Sequence, residues 1–479
     1  MKVMSNSVDH LLWFRNQLRV HDQPLLASRP PGDRVVGVWI LDPREHLDPC
    51  DGRPRSGARR LAFLLESVSA LRASLRKLGS ELIVRIGRPE VVLPELAAVL
   101  AVESVECVRQ PGTEERMIED RLQLELGPRL VLYAFESILE LDDLDDVVDA
   151  LPEVFSRFRR RIEKRVAFAS PRPAPEALAP VSLPVEVEAG AVPDAVSLGF
   201  DALVDDPRGA IAFDGGEAAG LERLECWMFT HDRLQHYKQT RNGMLGESYS
   251  SKFSPWLATG CLSARTVVAE TLRYEAERTA NESTYWLRFE LLWREYFRLY
   301  LLKHGPALFQ RGGPAQSRLR WSDPPGHLEA WREGCTGVPL IDANMIELAR
   351  TGFMSNRGRQ IVASFLAKNL DVDWRRGARW FEHCLIDYCP DANWGNWAYA
   401  AGVGADHRGF RGFDVARQAA NYDPEGDYIA VWLGESIAAQ PIEQRHAPWL
   451  HGGRSPIVDP VRSLAQAEAR WERVSNDSE

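Results

Sequence analysis

The sequence predicts an α/β unit followed by an all-α unit: an N-terminal doubly wound parallel sheet, a long connector and a larger all-helical domain. Three observations carry this expectation. Up to about residue 150, short apolar runs alternate with stretches of helical periodicity. Residues 171–195 are rich in Pro, Ala and Val and have no period, as an extended surface connector does. From about Leu221 the pattern is helical almost to the end, broken by Gly and Pro loops. The boundaries expected are therefore 1–150, 151–220 and 221–479.

Taken in order, residues 11–14, 35–41, 82–86, 105–108 and 130–133 are apolar runs of strand length. They lack alternation, which suits strands covered on both faces. After the second run, Leu61, Leu64, Leu65, Val68, Leu71, Leu75 and Leu78 fall on one helical stripe. Pro89 opens another helix expected to run to about Val102. Strand–helix alternation implies a parallel sheet. No G-x-G-x-x-G follows the first strand, so fold class alone places no nucleotide in this half. No internal repeat is visible.

The 479 residues suffice for two or three domains with well-buried cores, and fifteen tryptophans are about double average usage. Seven scattered cysteines, without a C-x-x-C, do not form a disulfide framework and signal neither zinc nor an iron–sulfur cluster. No metal site is expected. The N-terminus lacks the apolar run of a signal peptide, and no stretch reaches transmembrane length. A reduced, cytoplasmic compartment and no membrane association are expected.

A net charge of −10 argues, on average, against a nucleic-acid partner. The charge is segregated, however. Acids dominate 136–153, Asp142 and Asp143 among them, and the sign reverses over 157–165. Between Arg350 and Arg379, seven basic residues stand against only Asp371 and Asp373. A local basic face is compatible with that, as is a solvated helix face at Arg375, Arg376 and Arg379.

Three segments carry chemistry. The first joins 237–242 (Tyr-Lys-Gln-Thr-Arg-Asn) to 249–257, which holds Ser250-Ser251-Lys252-Phe253-Ser254. Hydroxyls and amides at a loop-to-helix junction make a phosphate seat; the plainer reading is helix capping by Ser. The second is 286–297, where helical spacing sets Glu290 and Arg294 on one face and Trp286 and Trp293 on another. Its plainer reading is an amphipathic helix with an i,i+4 ion pair. The third runs from 351 to 399. It combines Phe353, Asn356, Arg357, Arg359, Gln360, Trp374, Asp387 and the Asn393-Trp394-Gly395-Asn396-Trp397-Ala398-Tyr399 run. Aromatics, an Arg with a matching Asp, and paired amides suit a pocket for a large planar cofactor.

These segments, in this order, resemble the photolyase/cryptochrome flavoproteins, and the DASH branch most closely. The resemblance extends to 13–22 (Trp-Phe-Arg-Asn-Gln-Leu-Arg-Val-His-Asp), Asp42-Pro43-Arg44, Gly87-Arg88-Pro89-Glu90 and Asn421-Tyr422-Asp423-Pro424, and covers nearly the whole chain. It implies FAD in the helical domain, contacted by Tyr237, Ser250, Ser251, Lys252, Phe253, Ser254 and Arg294, walled by Phe353 and Asn356, with an Arg359–Asp387 ion pair. Asn393 matches the residue facing the flavin N5. The family's second acid, two residues after Asp387, is here Cys389. Trp397, Trp374 and Trp321 align with the family's electron-transfer chain, although three core tryptophans would read the same way.

The activity implied is light-driven repair of cyclobutane pyrimidine dimers, with Glu290, Trp293, Asn356, Gln360, Asn393 and Tyr399 around lesion and flavin. Arg241, Arg357 and Arg411 would contact DNA phosphates. Duplex-acting relatives carry Met and Trp where this chain has Gln360 and Tyr399. The loss of stacking surface favours single-stranded or looped DNA. DASH relatives often bind methenyltetrahydrofolate as an antenna; its usual Glu is replaced around Gln110. A monomer is expected. The competing function is a blue-light receptor, disfavoured by the short tail beyond the last helix near 456–473.

Overall fold

The apolar runs form one parallel sheet of five strands: β1 (His10–Trp13), β2 (Val35–Leu41), β3 (Leu82–Ile86), β4 (Ser104–Val108) and β5 (Leu130–Tyr133). Their order is β3-β2-β1-β4-β5, with every neighbouring pair parallel. This computed structural model describes residues 8–476 apart from Ser28, Pro31, Asp142, Asp143 and 406–408. The acids Asp142 and Asp143 thus lie outside the described residues.

Successive residues of β2 feed opposite cores, because side chains alternate across a sheet. Val35, Trp39 and Leu41 join the cluster that holds helix α1 (Ala58–Lys77). Val36, Val38 and Ile40 join the one beneath α2 (Pro89–Val99) and α3 (Thr113–Leu126). Gly37 lets α1 approach: a Cβ there would meet Leu82 Cδ1 at 2.9 Å and Leu75 Cδ1 at 3.0 Å.

Within the 151–220 stretch expected as connector, Phe155–Arg165 forms helix α4, with Phe155, Phe158 and Ile162 buried. The chain then runs irregularly along the β3 edge, where Ala189 O accepts the Val84 N–H (2.8 Å). Unpaired edge groups are thereby covered.

The helical half holds the long α5 (Glu282–His304), opened by a capping box between Asn281 and Thr284. It also holds α6 (Asn356–Ser364), α7 (Trp374–Cys384), α8 (Pro390–Ala401) and α9 (Pro460–Asn476). Helix α6 runs on into one π-helical turn, Phe365–Asn369. Buried polar contacts join the halves. The Glu217 carboxylate accepts the N–H groups of Val20 and His21 (2.9 and 3.0 Å), and Arg55 pairs with Glu382 (2.8 Å). Among the described residues, no helix is long and apolar enough to cross a membrane, and no His/Cys/Asp/Glu cluster could hold a metal.

Candidate functional site

Helix α6 and the turn before α8 bring opposite charges together. Ser355 caps α6 by accepting the Gly358 N–H (3.0 Å), which sets its first turn. Arg359 then meets Asp387 at two points (Nη1–Oδ1 3.1 Å, Nη2–Oδ2 2.8 Å) and donates from Nε to Met354 O (2.9 Å). The Asp387 side chain is only 1% exposed, so its charge depends on this partner. Buried Phe353 has its ring 5.5 Å from the guanidinium. Asn393, also buried, is anchored through its Nδ2 to Ala378 O (3.0 Å).

A second set surrounds the 250–254 loop. Ser251, Lys252 and Phe253 are buried and Ser250 is half-buried. Lys252 takes a left-handed φ of 56° and carries its ammonium 3.4 Å from the Tyr249 ring centre. Burial, reinforced by Arg223, pulls Lys252 down to about 7. Burial also pushes the Glu347 carboxyl up to about 8, although Tyr428 donates a hydrogen bond to it (2.6 Å). The Tyr249 hydroxyl is buried without a partner. Ser254 does not act as a cap: Phe253 occupies that position and no side chain caps the turn. Tyr237 lies edge-on to Trp227, buried beside this loop (5.6 Å, 88°). A phenol without a partner and a lysine that, among the described residues, donates to the Glu247 carbonyl (3.1 Å) but pairs with no carboxylate suit a polar, anionic ligand.

The third group lies on α5. Glu290 accepts from Arg241 (2.7 Å) and from Trp286 Nε1 (3.0 Å), and burial raises its carboxyl above the ordinary value. The i,i+4 pair with Arg294 is not made. Arg294 instead donates to Leu257 O (3.1 Å), leaving Glu290 to Arg241. Arg241 is accordingly aimed at Glu290 rather than at solvent. Trp293 stacks on Phe155 of α4 (3.6 Å, 14°) and meets Tyr399 edge-on (6.3 Å, 74°). Asn356 and Gln360 are exposed, one helical turn apart on α6. Arg357 covers the Tyr422 ring (4.3 Å) and reaches Asn242 Oδ1 (3.4 Å); Arg411 donates to the Tyr399 hydroxyl.

Of the three aligned tryptophans, Trp374 and Trp397 are buried and Trp321 is half-buried. Gly377 lies one turn after Trp374, and a Cβ there would meet Trp397 Cη2 at 2.2 Å. The missing side chain lets the α8 indole rest on α7. Trp374 and Trp321 donate to Arg311 O (3.0 Å) and Ala367 O (2.8 Å), while the Trp397 N–H is buried without a partner. Trp394 lies edge-on to Trp374 (5.8 Å).

Between the halves lies an open cleft lined by Gln17 and Arg19 after β1, Gln110 and Pro111 after β4, and Arg294, Arg298 and Cys389 from the helical half. Strand order reverses between β1 and β4, and ligands of doubly wound sheets sit outside the carboxyl ends at that switch point. Gln110 is itself buried, its Nε2 spent on Val108 O (3.1 Å).

Both halves of the chain match known proteins. Residues 10–177 match the family model described as DNA photolyase, and 286–468 the FAD binding domain of DNA photolyase. A cryptochrome DASH of Gloeobacter violaceus is 48% identical, over 96% of this chain and 95% of that protein. The chain belongs to the photolyase/cryptochrome family, in its DASH branch. Among solved relatives, a Synechocystis cryptochrome superposes with a TM-score of 0.90 at 42% identity, covering 97% of this chain and 99% of that one. A bacterial class III photolyase of Agrobacterium tumefaciens gives 0.82 at 27% identity, over 99% and 100% of the two chains.

Within this DASH chain the departure at Cys389 gains a counterpart that motif reading missed. The thiol donates to Asp391 Oδ1 (2.6 Å), and Asp391 is 1% exposed with its Oδ2 3.7 Å from Arg298. The acid absent from one position stands two residues on. Burial, then Asp391, pushes the Cys389 thiol far above its usual range, so it remains a donor. Glu347 and Tyr249, which interact electrostatically beside Lys252, have no part in the sequence reading: Tyr249 lies within the 249–257 segment, but Glu347 has no local sequence signal.

Proposed function

We propose that this protein repairs cyclobutane pyrimidine dimers in single-stranded or looped DNA, driven by blue or near-ultraviolet light. The observation that carries the reading is the Glu290 carboxyl, held by Arg241 and Trp286 beside the Trp293–Tyr399 wall. FAD is the cofactor proposed, and when bound and reduced it supplies the photoexcited electron that opens the dimer.

The protein's own residues do the rest. Tyr237, Ser250, Ser251, Lys252, Phe253 and Ser254 would hold the phosphate and ribityl end, where, among the described residues, Lys252 donates to the Glu247 carbonyl but makes no carboxylate ion pair and the Tyr249 hydroxyl has no partner. Arg359, Asp387, Asn393, Phe353, Asn356 and Arg294 would enclose the ring system, with Cys389 at its margin. Photolyases are among the enzymes that extrude their target base, at a cost of a few kcal/mol. Glu290, kept protonated to higher pH by burial, donates to a pyrimidine carbonyl, and Asn356 and Gln360 meet the other polar edges. Tyr399 and Gln360 offer less stacking than Trp and Met. At about 1–3 kcal/mol per stacked base, that deficit favours lesions already unpaired. Arg357 and Arg411 take phosphates; Trp397, Trp374 and Trp321 form an electron path from the surface to the pocket.

The interdomain cleft is proposed to hold a methenyltetrahydrofolate antenna, detectable as near-ultraviolet absorbance of the purified protein. The Sulfolobus tokodaii photolyase, 26% identical with a TM-score of 0.77, carries two FAD molecules, so chromophore extraction should test for both. The deciding experiment illuminates the reduced protein with dimer-containing single-stranded oligonucleotide and counts restored thymines. Turnover faster on single strands than on matched duplex is expected. No turnover overturns the enzyme reading and leaves the blue-light receptor; equal turnover overturns the strand preference.

A further inference from the structure

Tyr399 also lines an open surface cleft that neither the lesion pocket nor the cofactor pocket accounts for. Three elements build it. The π-helical turn supplies Lys368, the end of α8 supplies Tyr399 and Gly402, and α9 supplies Arg470 and Trp471. Phe410 and Trp321 complete the walls. Asn369 fastens the first wall to the third, donating from Nδ2 to Pro460 O (2.8 Å) and Ser463 Oγ (2.9 Å). The cleft is thus a fixed feature rather than a loose tail.

Its chemistry is unusual for a surface groove. Lys368 is 8% exposed and, among the described residues, has no carboxylate partner. Its ammonium donates to the Arg411 carbonyl and lies 5.1 Å from the Phe410 ring. A buried ammonium without a counter-charge is costly, and burial accordingly lowers Lys368 to about 8. Trp471 is half-buried, lies outside the hydrophobic core cluster and donates its indole N–H to no protein group among the described residues. Flat rings and an ammonium without a carboxylate partner, lining one cleft, are what a nucleotide requires: stacking for the base and charge for the phosphate. π-Helical turns recur at functional sites.

We propose that this cleft holds the base and phosphate of one nucleotide flanking the lesion in single-stranded DNA, with Trp471 and Phe410 as the stacking rings and Lys368 on the phosphate. The inference rests on the repair reading and deepens it. Tyr399 is a wall of both the lesion pocket and this cleft, so adjacent nucleotides would be splayed to its two sides. A duplex would have to break a second base pair to fill the second seat, which adds to the preference for unpaired strands.

The test compares the full holoprotein with Trp471→Ala and Phe410→Ala by fluorescence anisotropy. The probes are a labelled thymine-dimer dinucleotide and an octanucleotide containing the same dimer. The octanucleotide should bind wild type more tightly than the dinucleotide, and each substitution should cost about tenfold on the octanucleotide alone. Dinucleotide binding, flavin content and repair at saturating substrate should stay unchanged. An octanucleotide affinity unaffected by both substitutions overturns the inference while leaving repair intact. Effects confined to flavin photoreduction by an external reductant also overturn it, assigning the cleft to electron-donor docking beside Trp321. Wild type that neither binds nor repairs the octanucleotide removes the repair reading and this inference with it.

Discussion

Restoring the acid that the family places at position 389 should harm this chain. In Cys389→Asp, the new carboxylate takes the place of a thiol 2.6 Å from Asp391 Oδ1. Two unit charges about 3 Å apart repel by about 5 kcal/mol at an effective dielectric near 20. Arg298, 3.7 Å from Asp391 Oδ2, offsets part of this. Proton uptake caps the remainder: holding a carboxyl of ordinary pKa near 3.9 protonated at pH 8 costs about 5–6 kcal/mol, and at pH 5.5 about 2 kcal/mol. We expect about 2–4 kcal/mol of destabilisation at pH 8, a large share of a typical total. The sign follows from the pair holding a proton in the folded state that the unfolded chain releases. Its folded pKa is raised, so the penalty is present above the unfolded value and shrinks as pH falls. Urea unfolding of the holoprotein, followed by tryptophan fluorescence at both pH values, measures this. Adding Asp391→Asn should recover most of the loss, in a double-mutant cycle with strong coupling. A single variant as stable as wild type at pH 8, a loss independent of pH, or no recovery in the double variant would refute the reasoning.

Other outcomes are open to similar tests. Gly377→Ala puts a methyl where Trp397 Cη2 and Leu366 Cδ2 would lie 2.2 and 2.4 Å away, and should cost about 1–3 kcal/mol in a thermal melt. Glu290→Gln should retain flavin but slow dimer repair at least about tenfold, because the amide can still donate a hydrogen bond to the pyrimidine but cannot pass it a proton. Since burial raises Glu290, wild-type repair should decline as pH rises through that raised value, and the variant should lack this limb. Glu347→Gln should gain stability relative to wild type as pH rises from about 4.5 to about 8, the interval over which folded wild type must hold a proton that its unfolded chain has released. Paired urea titrations would detect it.

The sheet was legible because its strands are short runs that are largely apolar on both faces, and Val35–Leu41 needed no tertiary information to be found. Helix α4 was not, although Phe155, Phe158 and Ile162 stand at i, i+3 and i+7; the surrounding arginines drew attention to charge rather than spacing. Within the site, motif order located Arg359 and Asp387, whose pairing follows from their burial. Local spacing failed for Glu290. It offered Arg294, one turn away, while the actual partner, Arg241, arrives from a separate short helix. Lys368 and Trp471 belong to elements far apart in sequence, and only the packing of α9 on the π-helical turn makes them neighbours.

The stack of Phe155 on Trp293 bears on how this molecule can be taken apart. By composition, the seam for exchanging halves between relatives would fall in the Pro- and Ala-rich run after residue 170. A chimaera cut there would give the helical half a foreign α4, and with it a foreign backing for the tryptophan beside Glu290. The interchangeable unit starts upstream of Phe155. Eleven residues of apparent connector are, in physical terms, part of the wall of the neighbouring domain.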